Sequence, residues 1–156
     1  MKIRKLSHSQ GFTLVELMIV VVIAAILTSI ALPSYQDHIA SSRRADAQGA
    51  LMGLAQAMER YYTERGTYVG AATLSGGVLV PNVYPSTSPS DGSTVQYNLI
   101  VSDLDATSYE LTAIPTGGQA GRDGNLTLDS LGAKTWTNSD GGVRNCWSKS
   151  CAVTTP

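Results

Sequence analysis

The longest apolar stretch of the chain lies close to its start. From Phe12 to Leu32, twenty-one consecutive residues include a single charged side chain, that of Glu16. As an α-helix this stretch is about 32 Å long, at ~1.5 Å per residue, which is enough to cross a hydrocarbon core about 30 Å thick. The pattern therefore predicts a helix over residues 12–32 that can lie within a membrane.

Residues 33–65 follow a second helical pattern, in which apolar side chains recur three or four positions apart. Such spacing places them in one stripe along an amphipathic helix. The stripe comprises Ala47, Leu51, Leu54, Met58 and Tyr61 or Tyr62. Gly66 is a natural stop for this helix. We expect the stripe to be the surface on which a sheet packs rather than a partner-binding face.

Beyond Gly66 the sequence changes to short apolar alternations separated by Gly, Ser, Thr, Pro and Asn, which is typical of strands and turns. The alternation predicts about four strands, near residues 95–101, 109–113, 126–128 and 133–136. Residues 70–93 are rich in Gly and Pro and are predicted to form a long surface loop. An antiparallel sheet of about four strands on the helix stripe gives an α+β fold, with residues 66–156 as a globular β-rich head.

Charge separates the first residues from the rest of the chain. The formal net charge is −1, but Lys2, Arg4 and Lys5 all precede the apolar stretch. Without residues 1–11 the chain keeps 8 basic and 12 acidic side chains, a net charge of −4. Net charge therefore does not indicate a broad nucleic-acid surface. The basic start favours a cytoplasmic N-terminus under the positive-inside tendency.

Histidine is missing from the whole head. The two histidines of the chain, His8 and His38, both precede residue 66, so a Ser-His-Asp or Cys-His arrangement cannot form in the head. Phosphate-binding glycine patterns do not follow a predicted strand either. We therefore expect that the protein is not an enzyme and uses no cofactor.

Oxygen-bearing side chains near residues 121–125 raise the question of a calcium site. Asp123, Asn125 and Asp129 can supply oxygen ligands, but the spacing and the glutamate of an EF-hand loop are missing. A hairpin turn is the simpler interpretation. The sequence predicts no metal site.

Two cysteines, Cys146 and Cys151, lie five positions apart near the C-terminus. In an oxidising compartment a disulfide between them closes a small ring, which contributes about 2 kcal/mol in the chain-entropy model. Two free thiols and a metal pair are the alternatives. A four-ligand zinc site within the head has too few soft ligands.

The apolar stretch has three interpretations. A secretory signal peptide has a shorter apolar core followed by an Ala-x-Ala-like site, for which Ser29-Ile30-Ala31 is a weak match. A plain membrane anchor leaves Glu16 unexplained, because a carboxylate at the bilayer centre costs roughly 2.5 to 3.5 kcal/mol. The third interpretation comes from the residues directly before the stretch.

Residues 10–16, Gln-Gly-Phe-Thr-Leu-Val-Glu, resemble the processing motif of type IV prepilins. In that family a peptidase on the cytoplasmic side cuts after the glycine and methylates the new amino terminus. The resemblance implies a leader peptide over residues 1–11, cleavage between Gly11 and Phe12, and N-methylation of Phe12. It also makes Glu16 the acidic residue that acts in filament assembly.

Simple electrostatics agrees with this role of Glu16. Cleavage frees an amine at Phe12, and the carboxylate can neutralise an amine on its own or a neighbouring chain. At an effective dielectric constant of 20, opposite charges about 4 Å apart attract by roughly 4 kcal/mol, which is comparable with the insertion cost. The alternative is that Glu16 lies near the membrane interface and its carboxylate reaches into water.

Pro33 lies where the two helical patterns meet. A proline inside a helix removes a backbone hydrogen bond and introduces a kink. Pilins similar to this chain carry a proline at this place, and the neighbouring stretch can lose helical order in filaments of the family. A simple bend at the membrane exit is the alternative.

The resemblance implies the type IV pilin fold and a structural subunit, most like a minor pilin of the PilE type. The motifs Arg43-Arg44-Ala45-Asp46-Ala47-Gln48 and Glu59-Arg60-Tyr61-Tyr62 carry the likeness to that type. The implied roles are pilus assembly, twitching motility and surface attachment. The implied location is the inner membrane, with the head in the periplasm, and the extracellular pilus after assembly. The implied partners are other pilin subunits, the prepilin peptidase and the inner-membrane assembly machinery.

Two other functions share this architecture. A DNA-uptake receptor pilin would bind DNA through phosphate contacts and base stacking. The candidate residues for those contacts are Lys134, Arg144 and Lys149, with Trp136 or Trp147. A type II secretion pseudopilin is the other alternative, and its usual calcium ligands are not evident in the sequence.

Overall fold

A computed structural model describes residues 12–139, 141–148, 150–151 and 153–154. A long helix, α1 (Leu14–Arg65), is followed by nine strands in the described part of the chain. These are β1 (Ala72–Ser75), β2 (Val78–Pro81), β3 (Thr87–Ser88), β4 (Tyr97–Leu104), β5 (Tyr109–Pro115), β6 (Leu126–Asp129), β7 (Lys134–Thr137), β8 (Val143–Arg144) and β9 (Val153–Thr154). A short 3-10 helix, Gly117–Gln119, lies between β5 and β6. The predicted leader, including Gly11, lies outside the described residues.

The chain forms two compact units, which divide between His38 and Ile39. Among the described residues of the first unit, 12–38, every large hydrophobic side chain is exposed, with exposed fractions between 52% and 84%. This part of α1 is long and apolar enough to cross a membrane, with a mean hydropathy of 2.7. Pro33 lies inside α1, whose helical hydrogen bonding continues past it. The kink at Pro33 and the domain bounds 12–32, 33–65 and 66–156 stay predictions.

The second unit has a core between α1 and the sheet. The predicted helix stripe is confirmed, because Ala47, Leu51, Leu54 and Met58 have no exposed surface. They pack against alternate side chains of the central strands, including Tyr97, Leu99, Val101, Leu111 and Leu126. Burying one leucine side chain stabilises a fold by roughly 1.5 to 3 kcal/mol, so the stripe is a main attachment of helix to sheet.

The sheet is antiparallel throughout, with strand order β1-β2-β4-β5-β6-β7-β8-β9 and with β3 paired to β4. The α+β fold is confirmed, and the four strands predicted from alternation correspond to β4, β5, β6 and β7. The expected strand number was too low. Residues 70–93 contain β1, β2 and β3, so the prediction that this whole segment is a loop was wrong.

The hairpin of β1 and β2 explains this error. Gly76 and Gly77 both have positive φ, 59° and 87°, which is the conformation required by a two-residue turn between twisted strands. Ser75 pairs with Val78 across this turn. The Gly-Gly pair that indicated a loop in the sequence is therefore the turn of a hairpin.

Candidate functional site

Glu16 is hydrogen-bonded to the first residues of its own helix. One carboxylate oxygen of Glu16, Oε2, accepts hydrogen bonds from the backbone N–H of Thr13 at 3.0 Å and from the Thr13 hydroxyl at 2.8 Å. The Thr13 hydroxyl oxygen accepts in return from the backbone N–H of Glu16 at 3.2 Å. This reciprocal pattern is a capping box, which satisfies two backbone donors that a helix start otherwise leaves unpaired.

Thr13 is a residue that the sequence analysis missed. The signal was present, because Thr-x-x-Glu before an apolar run is the sequence pattern of a capping box. Phe12, next to it, has an exposed fraction of 84%. The carboxylate of Glu16 is therefore fixed close to the predicted new amino terminus, while its role in assembly stays a prediction.

A second group of contacts surrounds the cysteines. Cys146 and Cys151 are joined by a disulfide, with their Cα atoms 6.2 Å apart. Between them, the Trp147 carbonyl accepts a hydrogen bond from the Gln48 side chain at 3.0 Å. The Trp147 indole N–H donates to the Thr127 carbonyl at 2.9 Å. The ring closed by the disulfide is thus attached to both α1 and β6.

A buried ion pair joins α1 to the loop after β5. Arg44 Nε lies 2.6 Å from Asp123 Oδ2, and the two side chains have exposed fractions of 8% and 0%. The guanidinium carbon of Arg44 also lies 3.9 Å from the centre of the Trp136 ring. A buried carboxylate is strongly destabilising unless it is paired and hydrogen-bonded, so this pair depends on its surroundings.

Those surroundings supply donors to both oxygens of Asp123. The Tyr97 hydroxyl donates to Oδ2 at 2.6 Å, while the Trp136 indole N–H and the Gly124 backbone N–H donate to Oδ1, each at 2.9 Å. Burial alone disfavours the charged carboxylate, but the hydrogen bonds from Arg44 and Tyr97 outweigh it and hold the pKa of Asp123 below its ordinary value. Its oxygens are therefore engaged by the protein, which gives the calcium interpretation no support.

Gln119 extends this network to the helix backbone. Its side-chain N–H₂ group donates to the Ala40 carbonyl at 2.9 Å and lies 3.2 Å from Asp123 Oδ2. Gln119 has no exposed surface, and Asp123 is 4% exposed. We call residues 116–125 the glycine loop. Two buried polar side chains anchor this loop against α1.

Two further arginines adjoin this network, Arg43 on α1 and Arg122 in the glycine loop. Arg43 and Arg122 directly adjoin the buried pair Arg44 and Asp123 in sequence, and Arg122 is exposed. A Cβ atom added to Gly118 would lie 3.6 Å from Arg43 Nη1, so this guanidinium lies close to the backbone of Gly118.

A second polar anchor lies near the C-terminal end of α1. The Glu59 carboxylate accepts hydrogen bonds from the hydroxyls of Tyr68 and Tyr109, each at 2.9 Å. Burial and the bond to Glu59 raise the pKa of Tyr68 to about 12, and the same causes raise the pKa of Tyr109. Polar contacts therefore fix both ends of the buried helix stripe.

Two family models match the chain. One, described as type IV minor pilin ComP, DNA uptake sequence receptor, matches residues 33–127, which is more than half of the chain. The chain belongs to this family. The other, the prokaryotic N-terminal methylation motif, matches residues 6–32 of this pilin. The resemblance to type IV prepilins is thereby confirmed, and the family match favours a pilus subunit over a type II secretion pseudopilin.

Similar curated proteins are pilins as well. This pilin is 38% identical over 89 residues to the fimbrial protein EcpC of Eikenella corrodens, a match that covers 53% of this chain and 58% of that protein. It is 42% identical over 72 residues to the type IV major pilin protein PilE1 of Neisseria gonorrhoeae, covering 46% and 43%. The chain thus spans about half the length of these relatives.

A solved structure supports the fold. The non-core minor pilin PilV of Neisseria meningitidis matches with a TM-score of 0.52 and 21% identity, covering 65% of this chain and 90% of that one. At this identity the likeness shows the fold alone. The type IV pilin fold expected from the sequence is therefore confirmed.

The described residues among those predicted for DNA contact already have partners within the protein. Trp136 is buried under Arg44 and is 3% exposed, so the prediction that it stacks on bases was wrong. Trp147 is half-buried, and Lys134 Nζ lies 4.8 Å from the centre of its ring. Arg144 Nη1 donates to the Cys151 carbonyl. Lys149 lies outside the described residues.

Proposed function

We propose that this pilin is cleaved between Gly11 and Phe12, held in the inner membrane by residues 12–32 with its head in the periplasm, and then assembled into a type IV pilus. The observation that carries the proposal is the exposure of every large apolar side chain among residues 12–38, the described part of the first compact unit. Such a surface needs an apolar partner. The membrane is that partner before assembly, and the helices of other pilin subunits replace it in the filament.

Within the filament, Glu16 neutralises a processed amino terminus. The capping box holds the carboxylate beside Phe12, so little conformational entropy is lost when an amine approaches. The new charge on Phe12 and the carboxylate then stabilise each other in surroundings of low dielectric constant. The prepilin peptidase and the inner-membrane assembly machinery act on the chain, and the chain itself performs no catalysis.

As a minor subunit, the pilin supports pilus assembly and through it twitching motility and surface attachment. Membership of a family of minor pilins and the lack of histidine in the head support this structural role.

Mass spectrometry of the native protein tests the processing step. We expect an N-methylated phenylalanine at Phe12 in protein from sheared fibres, and a Gly11→Leu variant that keeps residues 1–11 and stays in the membrane fraction. An intact Met1 or a cut near Ala31 in the unaltered protein would contradict the proposal.

DNA uptake is a second candidate function, favoured by the description of the matching family model as a DNA uptake sequence receptor. In this role the assembled head binds duplex DNA outside the cell. The full-length protein in detergent micelles should bind duplex DNA with an affinity that falls as salt rises, because released counterions drive phosphate binding. Absence of binding at every salt concentration would remove this candidate.

A further inference from the structure

We propose that a groove beside α1 binds a lysine side chain from the head of an adjacent pilin subunit, with the lysine ammonium on the carboxylate of Glu59. The inference rests on the proposed assembly into a pilus and locates one contact between heads. We call this feature the Glu59 groove, and its volume is about 440 Å³. Its lining includes Met52, Ala55, Gln56 and Glu59 of α1, Leu128 of β6 and Lys134 of β7.

The groove exists because one helix cannot cover the whole sheet. An α-helix is about 10 to 12 Å wide, whereas eight neighbouring strands spaced about 4.8 Å apart extend over roughly 34 Å. The disulfide ring covers part of the remainder, because Trp147 packs against the core and its carbonyl binds Gln48. The uncovered part begins at Met52, one helical turn after Gln48.

The walls of the groove are largely apolar. Met52 is 47% exposed, although it is a large hydrophobic residue of the head. Ala55 is half-buried beside it, and the buried Leu128 lies on the sheet side. Exposed apolar surfaces of this kind are typical of binding sites. The walls therefore suit the methylene stem of a long side chain.

Glu59 supplies a fixed negative charge to this groove. Its Oε1 accepts hydrogen bonds from the buried hydroxyls of Tyr68 and Tyr109, each at 2.9 Å. The carboxylate is thus held in one orientation before a ligand binds, which reduces the entropy lost on binding. Glu59 is exposed and forms no ion pair with the residues that the structure describes. Its charge is therefore available to a cation from another molecule.

Lys134, the cation in the lining of the groove, does not neutralise Glu59. The Lys134 ammonium lies 4.8 Å from the centre of the Trp147 ring. In the described part of the chain no ion pair joins Lys134 to Glu59. A second cation is therefore required to balance the carboxylate.

The hydrogen bonds of Glu59 favour lysine over arginine as that cation. Oε1 already accepts two hydrogen bonds, whereas Oε2 has one longer contact, 3.1 Å, with the Tyr68 hydroxyl. A bidentate arginine needs both carboxylate oxygens, but a lysine ammonium is a compact charge that can bind at Oε2 alone. The stem of the lysine then lies along Met52 and Ala55.

An adjacent pilin subunit is the expected source of the lysine. α1 also carries the exposed apolar residues 12–38, for which other subunits are the proposed partners in the filament. Assembly brings neighbouring heads together at a high effective concentration. One ion pair in a preformed groove is then enough for a specific contact between heads.

Photo-cross-linking in assembled fibres tests this contact. A photoreactive amino acid replaces Met52, sheared fibres are irradiated, and the cross-linked peptides are identified by mass spectrometry. We expect a cross-link to a lysine-containing peptide in the head of another pilin subunit. The diamine cadaverine, which resembles a lysine side chain, should lower the yield several-fold more than sodium chloride of equal ionic strength.

Variants of Gln56 change the charge of the groove and keep the tyrosine contacts. Gln56 is exposed and precedes Glu59 by three positions, so Gln56→Lys places an ammonium beside the Glu59 carboxylate. This variant should lower the cross-linking yield several-fold, whereas Gln56→Glu should keep or raise it. Ser42→Lys, at an exposed position of α1 outside the groove, is the matched control and should leave the yield unchanged.

The outcomes separate this contact from assembly itself. If the unaltered protein is missing from sheared fibres, the proposed assembly fails. If the protein is present but Met52 cross-links to no lysine-containing peptide of a pilin head, the groove proposal is wrong although assembly stands. The same holds if Gln56→Lys lowers the yield no more than Ser42→Lys does.

Discussion

The two parts of α1 differ in what surrounds them, although they belong to one helix. Residues 14–38 expose all of their large apolar side chains, whereas residues 39–65 bury a complete stripe against the sheet. Polar anchors at Arg44 and Glu59 also fix the second part to the head. The chain therefore completes the packing of only half of its helix, and the other half depends on a membrane or on other subunits.

The largest expected effect comes from breaking the buried pair. Arg44→Met leaves the Asp123 carboxylate buried without its cation, which should lower the free energy of unfolding by about 3 to 5 kcal/mol. Arg43→Met, one residue away on the outer surface, should change it by less than about 0.5 kcal/mol. Denaturant unfolding of both variants measures the difference, and equal effects would contradict the role of the pair.

Two leucines on α1 report separately on its buried and its exposed part. Leu54→Ala removes a fully buried side chain and should cost about 2 to 5 kcal/mol in unfolding free energy. Leu27→Ala makes the same chemical change at a position that is 62% exposed and should leave the stability of the head unchanged. Circular dichroism of the full-length variants in micelles measures the unfolding of the head in each. A destabilised head in the Leu27 variant would contradict the difference between the two parts of the helix.

The second polar anchor should have a smaller effect. Glu59→Gln keeps the shape of the side chain but replaces the charged carboxylate that accepts hydrogen bonds from the hydroxyls of Tyr68 and Tyr109. This change should lower the free energy of unfolding by about 1 to 3 kcal/mol. Both glutamates are exposed, and Glu64→Gln on the same helix is the control because the tyrosine hydroxyls bind Glu59. No difference between the two variants in thermal unfolding would show that the tyrosine contacts contribute little.

Acid should weaken the second unit through Asp123. Its pKa is lower in the folded state than in the unfolded chain, so the unfolded state binds more protons and stability falls as pH decreases. The contribution is complete above the ordinary pKa of about 3.9 and is lost as pH falls through the lower folded value. In denaturant unfolding at a series of acidic pH values, the stability of an Asp123→Asn variant should fall less steeply than that of the unaltered protein. An equally steep fall in both proteins would show that other groups cause the acid sensitivity.

Local sequence patterns predicted the parts of the fold that depend on local physics. The stripe on α1 and the strands β4 to β7 were predicted from the spacing of apolar residues, because a helix or strand that buries one face must repeat apolar residues at its own period. The capping box of Thr13 was equally local and was present in the sequence. The hairpin of β1 and β2 was missed because its glycine turn resembles any glycine loop.

Contacts between residues far apart in the chain left no recognisable pattern in the sequence. Arg44 and Asp123 are 79 positions apart, and neither residue type indicates burial, since charged side chains are almost never fully buried unless paired. For the same reason Trp136 was taken for a stacking surface, although the structure places it under Arg44.

Incorporation of a Glu16→Gln variant into fibres tests the central claim most directly, that the Glu16 carboxylate neutralises a processed amino terminus during assembly. The amide still accepts the hydrogen bonds of the capping box but carries no charge, and Glu16→Asp serves as the charged control. We expect the Gln variant to be cleaved and methylated at Phe12 yet to remain in the membrane fraction, with far less of it in sheared fibres. Incorporation equal to that of the unaltered protein would contradict the claim.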